Sequence, residues 1–430
     1  MLKALSFLVG NAMIVSSAKA SKLQVALQEV NLHRQAGRLS EAEKACRRIL
    51  RERPSHPETN FSLGAVLFAQ GKIDEAEASF RRVIHVEPNS VAGHNNLGNA
   101  LFAQGKLDEA EGSFRRALAL QPDMPDALKN LALVMVDKGD FAESIPLFRH
   151  HAELVYGKPL SSARAGEPIP PHKTRHDQEQ REYLNGGNGS GAGIAGFLFH
   201  LEDGARVSGS AVNPDRSGGD IAAQWQNSSP QVAIIDNLLT DEALERLRQY
   251  CWRSTIWHKS YANGYLGAMP EHGFACPLVA QIADELRDAY PAILHDYPLL
   301  RCWGFKYDSR HKGINIHADF AAVNVNFWIA PEEANLDPQS GGLVIWDKPA
   351  PLEWTFEQYN NPNSGQMIRN FLAQAGAKSV TVPHRANRAV IFDSDLFHET
   401  DRIVFKEGYV NRRINITMLY GRRETAAKHN

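Results

Sequence analysis

The chain has 430 residues, 43% hydrophobic and 22% charged, with a formal net charge of −2. These totals describe an ordinary globular composition long enough for two or three domains, and they exclude a bulk electrostatic pull toward nucleic acid. The four cysteines (Cys46, Cys251, Cys276, Cys302) lack CxxC spacing, which argues against a zinc finger or disulfide framework and favours a reducing, cytoplasmic compartment.

Residues 1–21 are expected to be an N-terminal extension or a signal peptide. Met1-Leu2-Lys3 is basic, residues 4–15 are mostly apolar, and Ala18-Lys19-Ala20 has the small-residue spacing of a cleavage site. Gly10 and Asn11 interrupt the apolar run, so export is the alternative to a cytoplasmic protein. No other stretch is long and apolar enough to span a bilayer.

Residues 22–157 repeat. Gly37, Gly71, Gly105 and Gly139 are spaced by 34, and Pro54, Pro88 and Pro122 keep that period. So do Ala42, Ala76 and Ala110, and Cys46, Phe80, Phe114 and Phe148. A glycine fits the turn between two helices and a proline ends the second. A small alanine lets neighbouring helices approach, and the aromatic fills the gap. This pattern resembles the tetratricopeptide repeat, and about four units suffice for an α-solenoid. The resemblance implies a concave surface for a protein or peptide partner, with a spacer or self-association module as the alternative. Asn60, Asn95, Asn96, Asn99 and Asn130 fall on the first helices and are candidates to clamp a peptide backbone. His151-Ala152-Glu153 has the letters of a metal pair, but residues two apart diverge on a helix.

Residues 158–229 are expected to be a glycine-rich linker. Pro159, Pro168, Pro170 and Pro171 end the repeats, and residues 175–184 suit a short helix. Gly191 to Gly196 fits GxGxxG by letters, but it follows Asn-Gly-Ser residues rather than a strand, so it is no dinucleotide fingerprint. His200-Leu201-Glu202 is a second metal-pair lookalike, expected to be a hinge or surface segment.

From 230 to 425 the pattern turns to two helices followed by strands. Gln231–Asp236 opens as a strand, Thr240 caps a helix running to Trp252, and Pro277–Tyr290 forms another. Strands are expected at 300–307, 313–320, 323–329, 343–346, 377–382, 389–393 and 412–420. Helices first and strands after suggest an antiparallel barrel backed by helices, within a multidomain α + β chain. On the strand 313–320, His317 and Asp319 point the same way, which makes a chelating pair. His398 lies 81 residues downstream, at the end of an apolar run. Two histidines and one carboxylate suit Fe(II) with open coordination positions. On the last strand, Arg413, Asn415 and Thr417 share one face, and a buried guanidinium there calls for an anion.

This segment resembles the Fe(II)- and 2-oxoglutarate-dependent oxygenases, specifically their prolyl-hydroxylase-like branch. The likeness rests on His317-Ala318-Asp319, Ser340 to Trp346, Asn387 to Phe392 leading to His398, and Arg413 to Thr417. It implies a double-stranded β-helix (jelly-roll) with supporting helices, in which His317, Asp319 and His398 hold iron. It implies that Arg413 binds the distal carboxylate of 2-oxoglutarate and that Tyr307 contacts the cosubstrate. Trp328 stands where some relatives place a second tyrosine, and Asn324, Asn326 or Thr417 would then supply that hydrogen bond. Residues 350–376, with Trp354, Phe356 and Tyr359, are long enough for a lid. His311 and His384 are assigned no role.

The implied activity is O2-dependent hydroxylation of an aliphatic C–H, with ascorbate as a possible reductant. The substrate would be a protein or peptide, prolyl by family likeness, recruited by the repeats. The alternatives are a small-molecule hydroxylase of the same class and a non-catalytic adaptor with a metal-binding barrel.

Overall fold

The computed structural model describes residues 23–157, 169–186, 199–214, 218–308 and 313–423. The GxGxxG letters, the N-terminal extension and His311 lie outside them. The chain divides into two compact units, Met1–Val134 and Met135–Asn430.

The first unit is a run of antiparallel helix pairs: α1 (23–35), α2 (Leu39–Glu52), α3 (Pro57–Ala69), α4 (Ile73–Val86), α5 (Val91–Ala103), α6 (Leu107–Leu120) and the start of α7 (Pro125–Asp137). The turn glycines Gly37, Gly71 and Gly105 have φ of 68°, 76° and 74°, a region open to glycine at no steric cost. Ala42, Ala76 and Ala110 are wholly buried, as are Cys46, Phe80 and Phe114. Phe80 and Phe114 dock where the facing helix carries a glycine: a Cβ on Gly64 or Gly98 would sit 2.6 Å from the ring. The expected asparagine clamp is corrected in part. Asn60 is 1% exposed, and its Nδ2 donates to Pro54 O and His56 O, so it staples a turn. Asn95 is also buried. Asn96 Nδ2 bonds to Ala92 O, and Asn130 Nδ2 bonds to Asn99 Oδ1.

The second unit takes in α8 (Phe141–Tyr156). Then come α9 (Pro171–Leu184), α10 (Gly218–Asn227), β1 (Val232–Ile235), α11 (Asp241–Arg253), β2 (Lys259–Ser260), β3 (Tyr265–Ala268), α12 (Pro277–Ala289), α13 (Pro291–Leu294), β4 (Leu299–Tyr307), β5 (Ala321–Trp328), β6 (Leu343–Pro349), α14 (Phe356–Asn360), α15 (Gly365–Gln374), β7 (Ser379–Val382), β8 (Ala389–Asp393), β9 (Leu396–Thr400) and β10 (Arg413–Arg422). Among the described residues, ten strands make two antiparallel sheets, one in the order β1-β8-β5-β10-β4-β3-β2 and one in the order β7-β6-β9.

The register of β10 decides which residues share a face. Arg413 pairs with Tyr307, Asn415 with Phe305 and Trp328, and Thr417 with Trp303 and Asn326. Directly opposed residues point the same way, so one face carries the polar row and its aromatic neighbours. The other face carries Ile414, Ile416 and Met418, all wholly buried. Tyr420 on that apolar face bonds through its hydroxyl to Ala283 O of α12. Thr240 caps α11 by accepting from Ala243 N, and Leu247 and Cys251 face inward.

Two expectations are corrected here. Residues 313–320 form no strand; only an isolated bridge joins His317 to His398. The backbone donors there go to β9, to α14 and to the turn between β8 and β9: His317 N to His398 O, Ala318 N to Tyr359 O, and Asp319 N to Ser394 O. A ladder needs one partner strand. The described parts of 158–229 are also no loose linker. On α9, His176 and Gln180 are buried, and Glu179 pairs with Arg412 at 2.9 Å. His200 and Thr255 exchange hydrogen bonds at 2.8 Å, and Leu278 N donates to Gly204 O at 2.8 Å. The segment around His200 is therefore a surface segment fastened by hydrogen bonds, not a hinge.

Candidate metal centre

His317 and His398 come off a single antiparallel rung. His317 N donates to His398 O at 3.0 Å, and His398 N returns to His317 O at 2.8 Å. That pair of bonds cancels the separation in sequence and sets the two rings 4.4 Å apart. Asp319 joins them from the irregular segment that follows. Its Oδ1 lies 3.9 Å from His317 Nε2 and its Oδ2 lies 3.6 Å from His398 Nε2. One ligand atom from each of the three lies within 4.8 Å of the others, and this is the one such group of three among the described residues. Each imidazole donates its Nδ1 proton to a carbonyl two residues back, Asn315 O at 2.8 Å and Leu396 O at 3.0 Å. That fixes the tautomer and leaves both Nε2 lone pairs facing the carboxylate, as a metal-binding histidine requires. Burial, helped by nearby His317, pushes the His398 imidazole down to about 4, so it is neutral at physiological pH. The donor set therefore fits a divalent metal.

A polar chain runs from Asp319 along the sheet face. Asn324 Nδ2 donates to Asp319 Oδ2 at 2.6 Å, and Asn326 Nδ2 donates to Asn324 Oδ1. Asn326 Oδ1 accepts from Asn415 Nδ2 at 2.7 Å and from Thr417 Oγ1 at 2.8 Å. Asn324 thus bonds directly to the Asp319 carboxylate, and Thr417 is linked to it in turn through Asn326 and Asn324.

Arg413 is wholly buried. Its Nε donates to Gly341 O at 2.5 Å and its Nη2 to Gly342 O at 3.2 Å, while Nη1 makes no hydrogen bond. Its guanidinium lies 4.6 Å from the Tyr307 ring centre and 5.7 Å from that of Trp328. An unpaired donor on a buried cation fits a carboxylate ligand, because leaving it bare is costly. His317, Asp319, His398, Arg413, Tyr307, Asn326 and Thr417 all line one cleft, together with Trp303, Phe305, Ile314 and Leu343. Burial raises the Tyr307 hydroxyl above its ordinary value.

Trp328 is wholly buried, with the Arg413 guanidinium 5.7 Å from its ring centre. It packs in an apolar cluster with Leu343, Ile345 and Val390. The preceding residue, Arg412, pairs with Glu179 and Asp308. His384 is 1% exposed, against Trp328 and Phe405. Neither His151 nor His200 belongs to a three-residue group of metal donors among the described residues; His200 instead faces Glu202, which is held by Arg253. Sequence reasoning missed Thr400 and Trp303 on the cleft wall, and Asn360, whose Nδ2 donates to Asp319 Oδ1 at 3.3 Å. No local signal marks Asn360, since it lies 41 residues from Asp319 between strands.

The chain thus combines an α-helical repeat unit with an antiparallel α + β unit carrying a His-Asp-His cluster. The family model of the tetratricopeptide repeat matches residues 27–92 and 95–155, and the N-terminal region is a tetratricopeptide-repeat array. Similar solved structures include the MamA protein, 23% identical with a TM-score of 0.30, over 31% of this chain and 73% of that one. A mutant O-GlcNAc transferase from Thermobaculum terrenum is 27% identical with a TM-score of 0.31, over 35% of this chain and 28% of that one. The first tetratricopeptide-repeat domain of Spaghetti, bound to an HSP90 peptide, is 22% identical with a TM-score of 0.26, over 26% and 88%. No curated protein matches the chain. No helix among the described residues is long and apolar enough to cross a membrane.

Proposed function

We propose that the second unit is an Fe(II)- and 2-oxoglutarate-dependent oxygenase that hydroxylates an aliphatic C–H of a protein or peptide, and that its two sheets form a double-stranded β-helix. The observation that carries this reading is the meeting of His317, Asp319 and His398 in a cleft that also holds Arg413 with an unpaired Nη1. Two imidazoles and a carboxylate suit Fe(II) and leave coordination positions free. His317, Asp319 and His398 would hold the iron, and Arg413 would take the distal carboxylate of 2-oxoglutarate through its planar fork. Bound iron and 2-oxoglutarate would supply the O2-dependent C–H oxidation, with ascorbate keeping the metal reduced. The chain's own residues do the placing. The Nδ1 bonds orient both imidazoles, Asn324 orients the carboxylate, and Trp303, Phe305, Ile314 and Leu343 give the cleft a wall that excludes water. The repeats are the part suited to recruiting a protein substrate.

The test is succinate formation from 2-oxoglutarate by the full chain with iron, ascorbate and a lysate as substrate source. We expect turnover by the wild type and loss of at least about 100-fold in His398→Ala, where a ligand is removed. No succinate above background would leave a metal-binding adaptor. Turnover that survives removal of residues 1–134 with a small substrate would leave a small-molecule hydroxylase.

A further inference from the structure

The stretch between β6 and β7, expected to be a lid, is fastened at its first part. Ala350 N donates to Asp395 O at 2.7 Å. Arg423 Nη2 donates to Ala350 O at 2.6 Å and to Pro351 O at 3.2 Å, and its guanidinium sits 4.3 Å from the Tyr359 ring centre. Tyr359 is 6% exposed and packs with Ile316, Ala318 and Phe397. Thr355 and Gln358 close a capping box on α14. The C-terminal end of that helix meets the segment that carries Asp319. Ala318 N donates to Tyr359 O at 2.9 Å, while Asn360 Nδ2 donates to Ala318 O at 2.5 Å and to Asp319 Oδ1 at 3.3 Å.

We propose that Asn360 is a positioning residue for the metal centre, holding Asp319 from the side opposite Asn324; this rests on the metal-centre reading above. Asp319 sits on no strand, so no ladder fixes its backbone. Its two oxygens instead take one amide donor each, Asn360 on Oδ1 and Asn324 on Oδ2. Rotating the carboxylate about its last torsion would break at least one of these bonds. With both made, Oδ1 faces His317 and Oδ2 faces His398. The same amide grips Ala318 O, so side chain and backbone of the ligand segment are set by one group. Partners of this kind behind a metal ligand change affinity by about 10–100-fold when removed.

The test is a Co(II) titration of the metal-free full chain, followed by visible absorption. Asn360→Leu keeps the size and removes the donor. We expect its Co(II) affinity to fall by about 10-fold or more, with an altered d–d band, in a metal-free chain whose far-UV circular dichroism matches the wild type. Gln358→Ala loosens the cap of α14 without touching Asp319, and its affinity should stay within about twofold of the wild type. The proposal is overturned if Asn360→Leu binds as the wild type does, or if Gln358→Ala weakens binding equally. Wild-type protein that binds no Co(II) fails the metal-centre reading itself and takes this proposal with it.

Discussion

Arg413 is a buried cation whose guanidinium donates to two backbone carbonyls, Gly341 O and Gly342 O, with the Asp401 carboxylate acting on it through space. Burial lowers its proton affinity, and the Tyr307 and Trp328 rings flank it. Removing one partner of a buried, charge-assisted contact costs about 2–5 kcal/mol. Arg413→Met should therefore weaken 2-oxoglutarate binding at least about 30-fold, measured by calorimetry on the Co(II)-loaded chain; unchanged binding would move the cosubstrate elsewhere. A second residue-scale consequence concerns acid. His258, stacked on Tyr156 at 3.7 Å, and His384 are each pushed by burial down to about 3. Their folded values lie below the unfolded value of about 6.5, so the unfolded chain binds more protons between these limits. Their contribution to stability is complete above about pH 6.5 and is lost as the pH falls toward 3. Melting curves of the second unit should decline across that window, and His384→Leu should flatten the decline.

At the scale of elements, the repeats show how one period writes both packing and charge. Gly98 exists for Phe114, because a Cβ at 98 would meet the ring at 2.6 Å. Overpacking of this kind costs about 1–3 kcal/mol, more than the helix propensity that alanine gains. Gly98→Ala should lower the melting temperature of the first unit, and Phe114→Leu in the same chain should restore part of it. The outer faces carry matching rungs. Arg47 bonds to Glu43 and Glu75, Lys72 to Glu43, and one period on Arg81 bonds to Glu77 and Glu109, Lys106 to Glu77. These pairs hold Glu43 and Glu77 down near 2, although exposed pairs of this sort stabilise little. The array was legible because its turns and caps are local. The β10 face was legible from parity alone, through Arg413, Asn415 and Thr417. The run 313–320 was misread because alternation describes an extended chain whether or not one strand partners it. Asn360 and β9 were illegible for the opposite reason, since their roles come from pairing across the fold.

For the whole molecule, the informative fact is where the second unit starts. Phe148 and Ala152 on α8 are wholly buried, Arg149 Nη1 donates to Glu202 O at 2.9 Å, and Tyr156 covers His258. By period α8 belongs to the fourth repeat; by packing it belongs to the unit with the metal cluster. A chain beginning at residue 158 should therefore melt well below one beginning at Pro125, by roughly the several kcal/mol that large buried side chains contribute, and circular dichroism on the two fragments checks this. Anyone building a chimera inherits the constraint: foreign helices joined upstream of Met135 leave the oxygenase candidate intact, whereas a junction at the apparent end of the repeats cuts out part of its foundation. What reads along the chain as the last helix of a repeat array is, for engineering purposes, the first helix of the unit that follows it.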